Sequence, residues 1–390
     1  MSKPPGHIRI LHTADWHLGR EFHGADLTAA HRHFFDWLAN QIQEREVDVV
    51  IMAGDIFDRA LPPAASVELL NEQLARLSDL CEITLIAGNH DSMKRLSYGP
   101  LLKPEIHLAS GTAGVGQPIE ISRHGVALVI YPVPYLDPGL TAADLGAEEA
   151  RHRAVLGAAF DRCREELAGR SGNPRSVAVA HAFVQGSEES ESERTISIGE
   201  ADRVPTSLLE GFDYVALGHL HRPQQVAENM RYSGSPLPLS YSEVGPGLSK
   251  SVTVVDLPAE GEAVIEVVEV PQHRKFERIH GTLEELLTDD SFEDSRQSWV
   301  EITVTDEIRP DQPMERLRSR FEQIMLLLFD SPISAAVSDD AAELTSLARA
   351  DPVELSGRFL KEVRGEGPDE QERRLLEDAV KSKAAEEVAG

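Results

Sequence analysis

The sequence predicts a layered α/β fold for residues 1–270, followed by a small α+β unit and C-terminal helices. Two observations predict the layered part. Short apolar runs end in Gly, Asp, Asn or His, and stretches with helical spacing lie between them, as expected for buried strands of an α/β sheet. The predicted strands are 8–11, 47–52, 83–87, 127–131, 177–180 and 214–217.

Two stretches between the predicted strands carry apolar residues at helical spacing and are expected to pack on a sheet. The apolar face of the first is formed by Phe34, Phe35, Leu38 and Ile42, and that of the second by Val67, Leu70, Leu74 and Leu77. Two histidines of the first helix, His31 and His33, are expected at its exposed surface.

The pattern of predicted strands and helices changes after residue 270. A small α+β capping domain is predicted over 271–335, with strands at 275–279 and 299–304, a helix from about 314 to 325 and an apolar run at 326–329. Residues 336–390 are predicted to form a linker and two amphipathic helices, with apolar positions within 355–363 and 375–380. These helices either dock on a partner chain or pack back on the parent domain.

Composition limits the classes of protein that fit. No stretch of the 390 residues approaches eighteen consecutive apolar residues, and only Cys81 and Cys163 are present, which favours a cytoplasmic protein without disulfides or membrane segments. The net charge of −28 argues against a chain that holds nucleic acid by itself. Either the substrate is small, or a metal site and a basic partner overcome the repulsion. The acidic run 188–193 is expected to be solvated.

Potential metal ligands follow five of the predicted strands, where parallel sheets place their sites. Carboxylate, imidazole and amide groups suit hard or borderline divalent metals. Asp15 and His17 are two residues apart, a spacing that aims both side chains the same way if the chain is extended. Glycines before several of these groups allow sharp turns and close backbone approach. The remaining candidates are Asp55, Asn89, His90, His181, His219 and His221.

Together, Asp15-x-His17, Gly54-Asp55, Gly88-Asn89-His90-Asp91, His181 and Gly218-His219-x-His221 resemble the calcineurin-like metallophosphoesterases. The resemblance implies a four-layer α/β/β/α sandwich. It also implies two metal sites that share Asp55. One site is formed by Asp15, His17, Asp55 and His221, and the other by Asp55, Asn89, His181 and His219. The resemblance favours Mn²⁺, although Mg²⁺, Fe²⁺ or Zn²⁺ also suits these ligands.

Shared ligation by one carboxylate holds two divalent ions about 3.5–4 Å apart, which suits them to clamp a phosphate and to activate a water as nucleophile. The leaving alkoxide then needs a proton, and His90, beside the ligand Asn89, is the candidate acid. Asp58 matches the residue that pairs with this histidine in the phosphatase branch of the family. Asp91 is the alternative orienting residue.

The residues around the motifs, including 11–19, 54–58, 88–92 and 232–236, resemble the SbcD family of bacterial nuclease subunits. This resemblance implies 3′–5′ exonuclease action on double-stranded DNA ends and endonuclease action on hairpins and single strands. It also implies assembly with an SbcC-type ATPase, as a homodimer within a heterotetramer, in DNA repair and recombination. Four basic sets are either phosphate contacts or ordinary surface charge: Lys94 with Arg95, Arg151 with Arg153, residues 273–275, and Arg316 with Arg318 and Arg320.

Two other functions are compatible with parts of the sequence. A phosphodiesterase or phosphatase for small substrates shares the metal motifs, but it does not explain the predicted cap and C-terminal helices. A non-catalytic scaffold with the same fold usually loses ligands, whereas all seven are present here together with His90.

Overall fold

The structure, a computed structural model, describes residues 3–96, 103–193, 203–330, 356–357 and 367–376. The strands are β1 (His7–Thr13), β2 (Glu21–Phe22), β3 (Ala25–Asp26), β4 (Val49–Ala53), β5 (Glu82–Ile86), β6 (Ile106–Ala109), β7 (Ile119–Arg123), β8 (Val126–Val133), β9 (Arg175–His181), β10 (Tyr214–Gly218), β11 (Gln224–Ala227), β12 (Met230–Tyr232), β13 (Ser251–Pro258), β14 (Val264–Glu269), β15 (Phe276–Gly281), β16 (Trp299–Val304) and β17 (Gln323–Phe329). The helices are α1 (Thr28–Glu44), α2 (Ala64–Ser78), α3 (Pro138–Leu145), α4 (His152–Ala168), α5 (Leu283–Thr288) and α6 (Pro313–Leu317). All six predicted strands of the layered part are confirmed, although their ends shift by a few residues.

Two six-stranded sheets form the centre of the protein, with the orders β14-β13-β1-β4-β5-β6 and β11-β12-β10-β9-β8-β7. In the first sheet, β1, β4, β5 and β6 are parallel. In the second, β8, β9, β10 and β12 are parallel. The antiparallel strands lie toward the edges, so each sheet presents the carboxyl ends of several neighbouring parallel strands at one edge.

The layers follow from the alternation of side chains along each strand. In β1, Ile10 belongs to an apolar cluster that fills the space between the two sheets, whereas Leu11 packs with α1 and α2 on the outer face. The second sheet repeats this arrangement, with Val177 in the shared cluster and Ala178 packed against α4. The predicted four-layer α/β/β/α sandwich is confirmed.

The prediction that His31 lies at the surface of α1 is wrong, because this residue is buried and only 1% exposed. It lies three and four residues before Phe34 and Phe35, on the same helical face. Its Nε2 atom donates to the Trp16 carbonyl oxygen at 2.7 Å, which satisfies the ring in the core. His33 is exposed, as expected.

The predicted helix from about 314 to 325 is wrong over most of its length. α6 ends at Leu317, and the apolar run that follows forms β17, in a sheet with the order β15-β16-β17. Phe321, fully buried, anchors the connection between the helix and the strand. Sheet pairing here outweighs the helical preference of the Met, Leu and Arg residues.

The described residues within 1–280, 284–302 and 312–327 form one compact unit, and those within 281–283, 303–311 and 328–376 form a second. An aromatic cluster in the first unit joins Phe22 to Phe276 and Trp299, on the two sides of the predicted boundary at residue 270. The predicted boundaries at 270 and 335 stay predictions. Most of the predicted C-terminal helices at 355–363 and 375–380 lies outside the described residues, although 370–376 are helical. In the part of the chain that the structure describes, every helix is too short or too polar to span a membrane.

Candidate metal centre

The seven predicted ligands meet where the two sheets present the carboxyl ends of their parallel strands. Asp15 and His17 follow β1, Asp55 follows β4, Asn89 follows β5, His181 ends β9, and His219 and His221 follow β10. The donor atoms form three overlapping groups, and within each group they lie within 4.8 Å of one another. The groups are Asp15 with His17 and His221, Asp15 with Asp55 and His181, and His17 with Asp58 and His90. Loops that are distant in sequence therefore form one cluster.

Strained backbone aims several of these side chains. Asp15, His17, Asp55 and His219 have φ angles of 53°, 44°, 54° and 106°. Such positive values are uncommon for residues other than glycine and mark functional sites when the surroundings enforce them. The backbone N–H groups of Asp15 and His17 donate to the carbonyl oxygens of Gly54 and Asp55, both at 3.0 Å. The condition of an extended chain at 15–17 is not met, because Asp15 and His17 both have left-handed backbone.

Two glycines leave room for ligands. A Cβ atom on Gly54 would collide with the ring of His181, and one on Gly88 would collide with the carboxylate and backbone nitrogen of Asp55. Gly54 also has a φ of 92°, which other residues rarely adopt. Both positions therefore need glycine for close packing around the site.

One half of the centre contains His17 and His221, whose Nε2 atoms are 3.1 Å apart. The Nδ1 atom of His17 lies 3.5 Å from the Asp58 carboxylate. The Nδ1 atom of His221 contacts the Ser192 hydroxyl, whose own proton is donated to Glu243. The acceptors beside both Nδ1 atoms leave the two Nε2 atoms directed toward the same point. The Asp15 carboxylate belongs to the same group, and since these donor atoms are of types that bind divalent metals, the residues fit such an ion.

The other half contains Asn89, His181 and His219. The amide oxygen of Asn89 lies 2.8 Å from Nε2 of His181 and 3.1 Å from Nδ1 of His219. The Nδ1 atom of His181 donates to the Ala53 carbonyl oxygen at 2.9 Å, which directs Nε2 into the site. Three donor atoms of types that bind divalent metals therefore converge at one point.

Asp55 lies between the two halves. Its Oδ2 atom is 3.5 Å from Nε2 of His17 and 3.5 Å from Nε2 of His181. Its Oδ1 atom accepts from the backbone N–H of His90 at 2.9 Å, which fixes the orientation of the carboxylate. Asp55 is 1% exposed. This position lets one carboxylate serve both halves.

The ionisation of the cluster reflects burial and mutual charge. Burial raises the pKa of Asp15 to about 7, against the opposing charges of His181 and His221. Burial lowers the pKa of His17 to about 4 and that of His219 to about 3, so both rings are neutral at pH 7. Burial also disfavours the charged form of His181, but the charge of Asp55 outweighs it and raises the pKa to about 9.

The orientation of His90 differs from the prediction. Its Nδ1 atom donates to the backbone carbonyl oxygen of Asp58 at 2.7 Å. The carboxylate of Asp58 instead lies beside His17 and accepts from Arg20 at 3.0 Å. The alternative, Asp91, accepts from the backbone N–H groups of Ile56, Phe57 and Gly88. The predicted pairing is corrected, because a backbone carbonyl and not a carboxylate holds the His90 ring.

The acidic run 188–193 was expected to be solvated, but this is wrong for Glu193, which is 2% exposed. Its carboxylate accepts from the backbone N–H of His221. Glu243, also buried, contacts the same region through Ser192. Sequence reasoning missed both residues, since Glu193 lies within an acidic run and Glu243 belongs to no motif.

The basic sets differ in their surroundings. Lys94 and Arg95 are exposed in the loop that follows Asp91, close in sequence to the ligands. Arg151 pairs with Glu149 at 3.2 Å. Arg320 donates to the carbonyl oxygens of residues 286 and 289, which gives this side chain a structural role at the end of α5.

Comparison with known families matches residues 8–223 to the calcineurin-like phosphoesterases and residues 272–364 to the type 5 capsule protein repressor C-terminal domain. The SbcD subunit of the nuclease SbcCD from Escherichia coli K12 is 33% identical over 316 residues, which cover 76% of this chain and 78% of that protein. Its counterpart from Bacillus subtilis 168 is 34% identical over 338 residues, with 80% and 83% coverage. The counterpart from Staphylococcus epidermidis is 27% identical over 328 residues, with 82% and 85% coverage. The chain therefore belongs to the calcineurin-like phosphoesterases and, within them, to the SbcD family of nuclease subunits.

Proposed function

We propose that this protein is a metal-dependent DNA nuclease subunit whose centre holds two divalent ions, with Mn²⁺ as the preferred metal. One observation carries the proposal: Oδ2 of Asp55 is 3.5 Å from an imidazole nitrogen of each half of the centre. One ion is held by Asp15, His17, Asp55 and His221. The other is held by Asp55, Asn89, His181 and His219.

Two bound divalent ions supply Lewis acidity toward the scissile phosphate and an activated water as the nucleophile. The residues of the chain fix where this chemistry takes place. Asp55 would serve both sites, and the Asp58 carboxylate, 3.5 Å from Nδ1 of His17, favours a proton on that atom. The left-handed backbone at Asp15 and His17 directs their donor atoms into the cluster.

His90 donates a proton to the leaving alkoxide. Its Nδ1 proton is engaged by the carbonyl oxygen of Asp58, which leaves Nε2 as the exchangeable position. The Nε2 atom lies 4.0 Å from Oδ2 of Asp55, on the border of the centre, and the side chain is 19% exposed. A ring that reaches both the centre and the solvent suits proton transfer to a departing group.

The charge of −28 requires help in binding DNA. The relatives are named as subunits of the nuclease SbcCD. We therefore propose that an SbcC-type ATPase supplies the basic surface, with this chain as a homodimer in a heterotetramer, and that residues after 350 dock on it. Deletion after Ala350 is expected to preserve cleavage by the isolated chain but to reduce co-purification with the ATPase. Unchanged co-purification would contradict the docking role.

The test of the nuclease proposal uses end-labelled duplex and hairpin DNA with Mn²⁺ or Mg²⁺. Labels at the 3′ and 5′ ends are expected to show shortening from the 3′ end, and hairpins are expected to be opened. Mononucleotides and cyclic nucleotides are the comparison substrates. Rapid hydrolysis of these small substrates with intact duplex would establish a small-substrate phosphodiesterase instead. Two bound metals without hydrolysis of any substrate would indicate a scaffold.

A further inference from the structure

A group of buried charged side chains lies behind His221. Glu193, Glu243 and Lys250 are 2%, 3% and 4% exposed. Lys250 pairs with Glu243, and Ser192 connects Glu243 to the histidine ring. Buried ionised groups are expensive unless each is paired and hydrogen-bonded, so a cluster of this kind needs a reason. We call these four residues, Ser192, Glu193, Glu243 and Lys250, the His221 support.

The contacts of the His221 support engage every polar atom of His221 except one. The backbone N–H donates to Glu193, and the backbone carbonyl oxygen accepts from Nζ of Lys250 at 2.7 Å. The Nδ1 atom contacts the Ser192 hydroxyl. The remaining atom is Nε2, which faces Nε2 of His17 at 3.1 Å. The support therefore fixes both the position of the backbone and the rotation of the ring.

The carboxylates also fix the tautomer. The Ser192 hydroxyl donates to Glu243 at 2.6 Å, so its lone pair is available to accept from Nδ1 of His221. The two carboxylates exceed the single ammonium group in charge, and Oε1 of Glu193 lies 3.5 Å from Nδ1. A negative environment on the Nδ1 side makes the lone pair of Nε2 a stronger ligand for a cation.

The ring of His181, in the other half of the centre, is held differently, because its Nδ1 atom donates to the neutral backbone carbonyl of Ala53. We propose that Glu193 and the Ser192–Glu243 pair are positioning residues that strengthen metal binding selectively at the site of Asp15, His17 and His221. This inference rests on the proposed metal centre. Removing the His221 support should therefore weaken the binding of one of the two ions and leave the binding of the other unchanged.

The test is a titration of the full chain with Mn²⁺ by calorimetry. Ser192→Ala removes the hydroxyl link without changing any charge, and Glu193→Gln removes one carboxylate with little change of shape. Each variant is expected to lose about 10- to 100-fold in affinity at one site, the usual effect of disturbing a residue behind a ligand. The matched control is Glu191→Gln, because Glu191 belongs to the same acidic run but is exposed. It should bind two ions as the wild type does.

Electron paramagnetic resonance provides a second readout. At Mn²⁺ concentrations that give a coupled pair in the wild type, the two support variants are expected to show an isolated ion. In a His17→Gln background, Ser192→Ala should cause little additional loss, because both changes act on the same ion.

Several outcomes would overturn the inference. Wild-type affinity at both sites in both variants would show that the support does not act on the metal. Equal losses at both sites would show a general structural role. If Glu193→Gln fails to fold, the conservative Ser192→Ala decides alone. A wild-type chain that binds fewer than two ions would instead refute the proposed metal centre on which the inference rests.

Discussion

Asp91 connects two of the loops that carry the centre. Its Oδ2 atom accepts from the backbone N–H groups of Ile56 at 3.0 Å and Gly88 at 2.9 Å, and its Oδ1 atom accepts from Phe57 at 3.0 Å. The side chain is buried, with the whole residue 8% exposed, so water replaces these bonds poorly. We predict that Asp91→Asn destabilises the protein and displaces Asp55, which directly precedes Ile56.

The size of the effect follows from the three bonds. The amide oxygen of an asparagine can keep the two bonds of Oδ2, but the amide NH₂ group then faces the N–H of Phe57. Burial raises the pKa of Asp91 to about 7, so above that pH one charge-assisted bond is lost and two donors are left facing each other. A buried donor without a partner costs about 1–3 kcal/mol. With the weakening of the two remaining bonds, the free energy of unfolding should fall by about 2–4 kcal/mol.

Urea denaturation with and without Mn²⁺ measures this change. The destabilisation is expected in both conditions, and the stabilisation that Mn²⁺ provides should be smaller in the variant because Asp55 is displaced. Asp36→Asn is the control, since the carboxylate of Asp36 is 67% exposed and pairs only at the surface with Arg76. If the free energy of unfolding of Asp91→Asn lies within about 0.5 kcal/mol of the wild-type value, the usual range for surface substitutions, the proposed role of Asp91 is refuted.

The remaining predictions concern the centre itself. Asp55→Asn should abolish cleavage and weaken both metal sites, and two ions bound with normal affinity would contradict the bridging role. His90→Gln should retain two ions but lower turnover by about 10²–10⁴, and near-normal turnover would remove His90 from the mechanism. Metal binding should displace the proton of His181, whose pKa is raised to about 9. Affinity should therefore rise about tenfold per pH unit from pH 7 toward pH 9, and calorimetric heats independent of the buffer would exclude this proton release.

The sequence predicted which side chains cluster at the candidate centre, because strand ends are local features. An apolar run such as 214–217 followed by Gly218-His219 shows both where β10 ends and which side chains leave its carboxyl end. The order of strands in each sheet and the packing of the two sheets then bring five such ends together. For the same reason, the buried face of α1 could have revealed His31, which lies in register with Phe34 and Phe35.

Features that depend on long-range contacts were not predictable in this way. The positive φ of Asp15 is held by the carbonyl of Gly54, a residue on another loop. The partner of His90 is a backbone carbonyl, and backbone atoms carry no signal in a sequence pattern. Glu193 belongs to an acidic run whose other glutamates are more exposed, and only the fold places it against His221.

The acidity of the chain and its proposed substrate are compatible because of the metal centre. Asp15 and Asp55 are both buried there. Burial raises the pKa of Asp15 to about 7, whereas at Asp55 the effect of burial is outweighed by the charge of His181, which lowers the pKa of Asp55. Two divalent ions carry more positive charge than these two carboxylates carry negative charge. The loaded centre therefore attracts a phosphodiester more strongly than the metal-free centre, where the protonated His181 ring offsets the charge of Asp55. Binding of DNA near the centre should accordingly depend on metal even in a variant in which cleavage is slowed, such as His90→Gln.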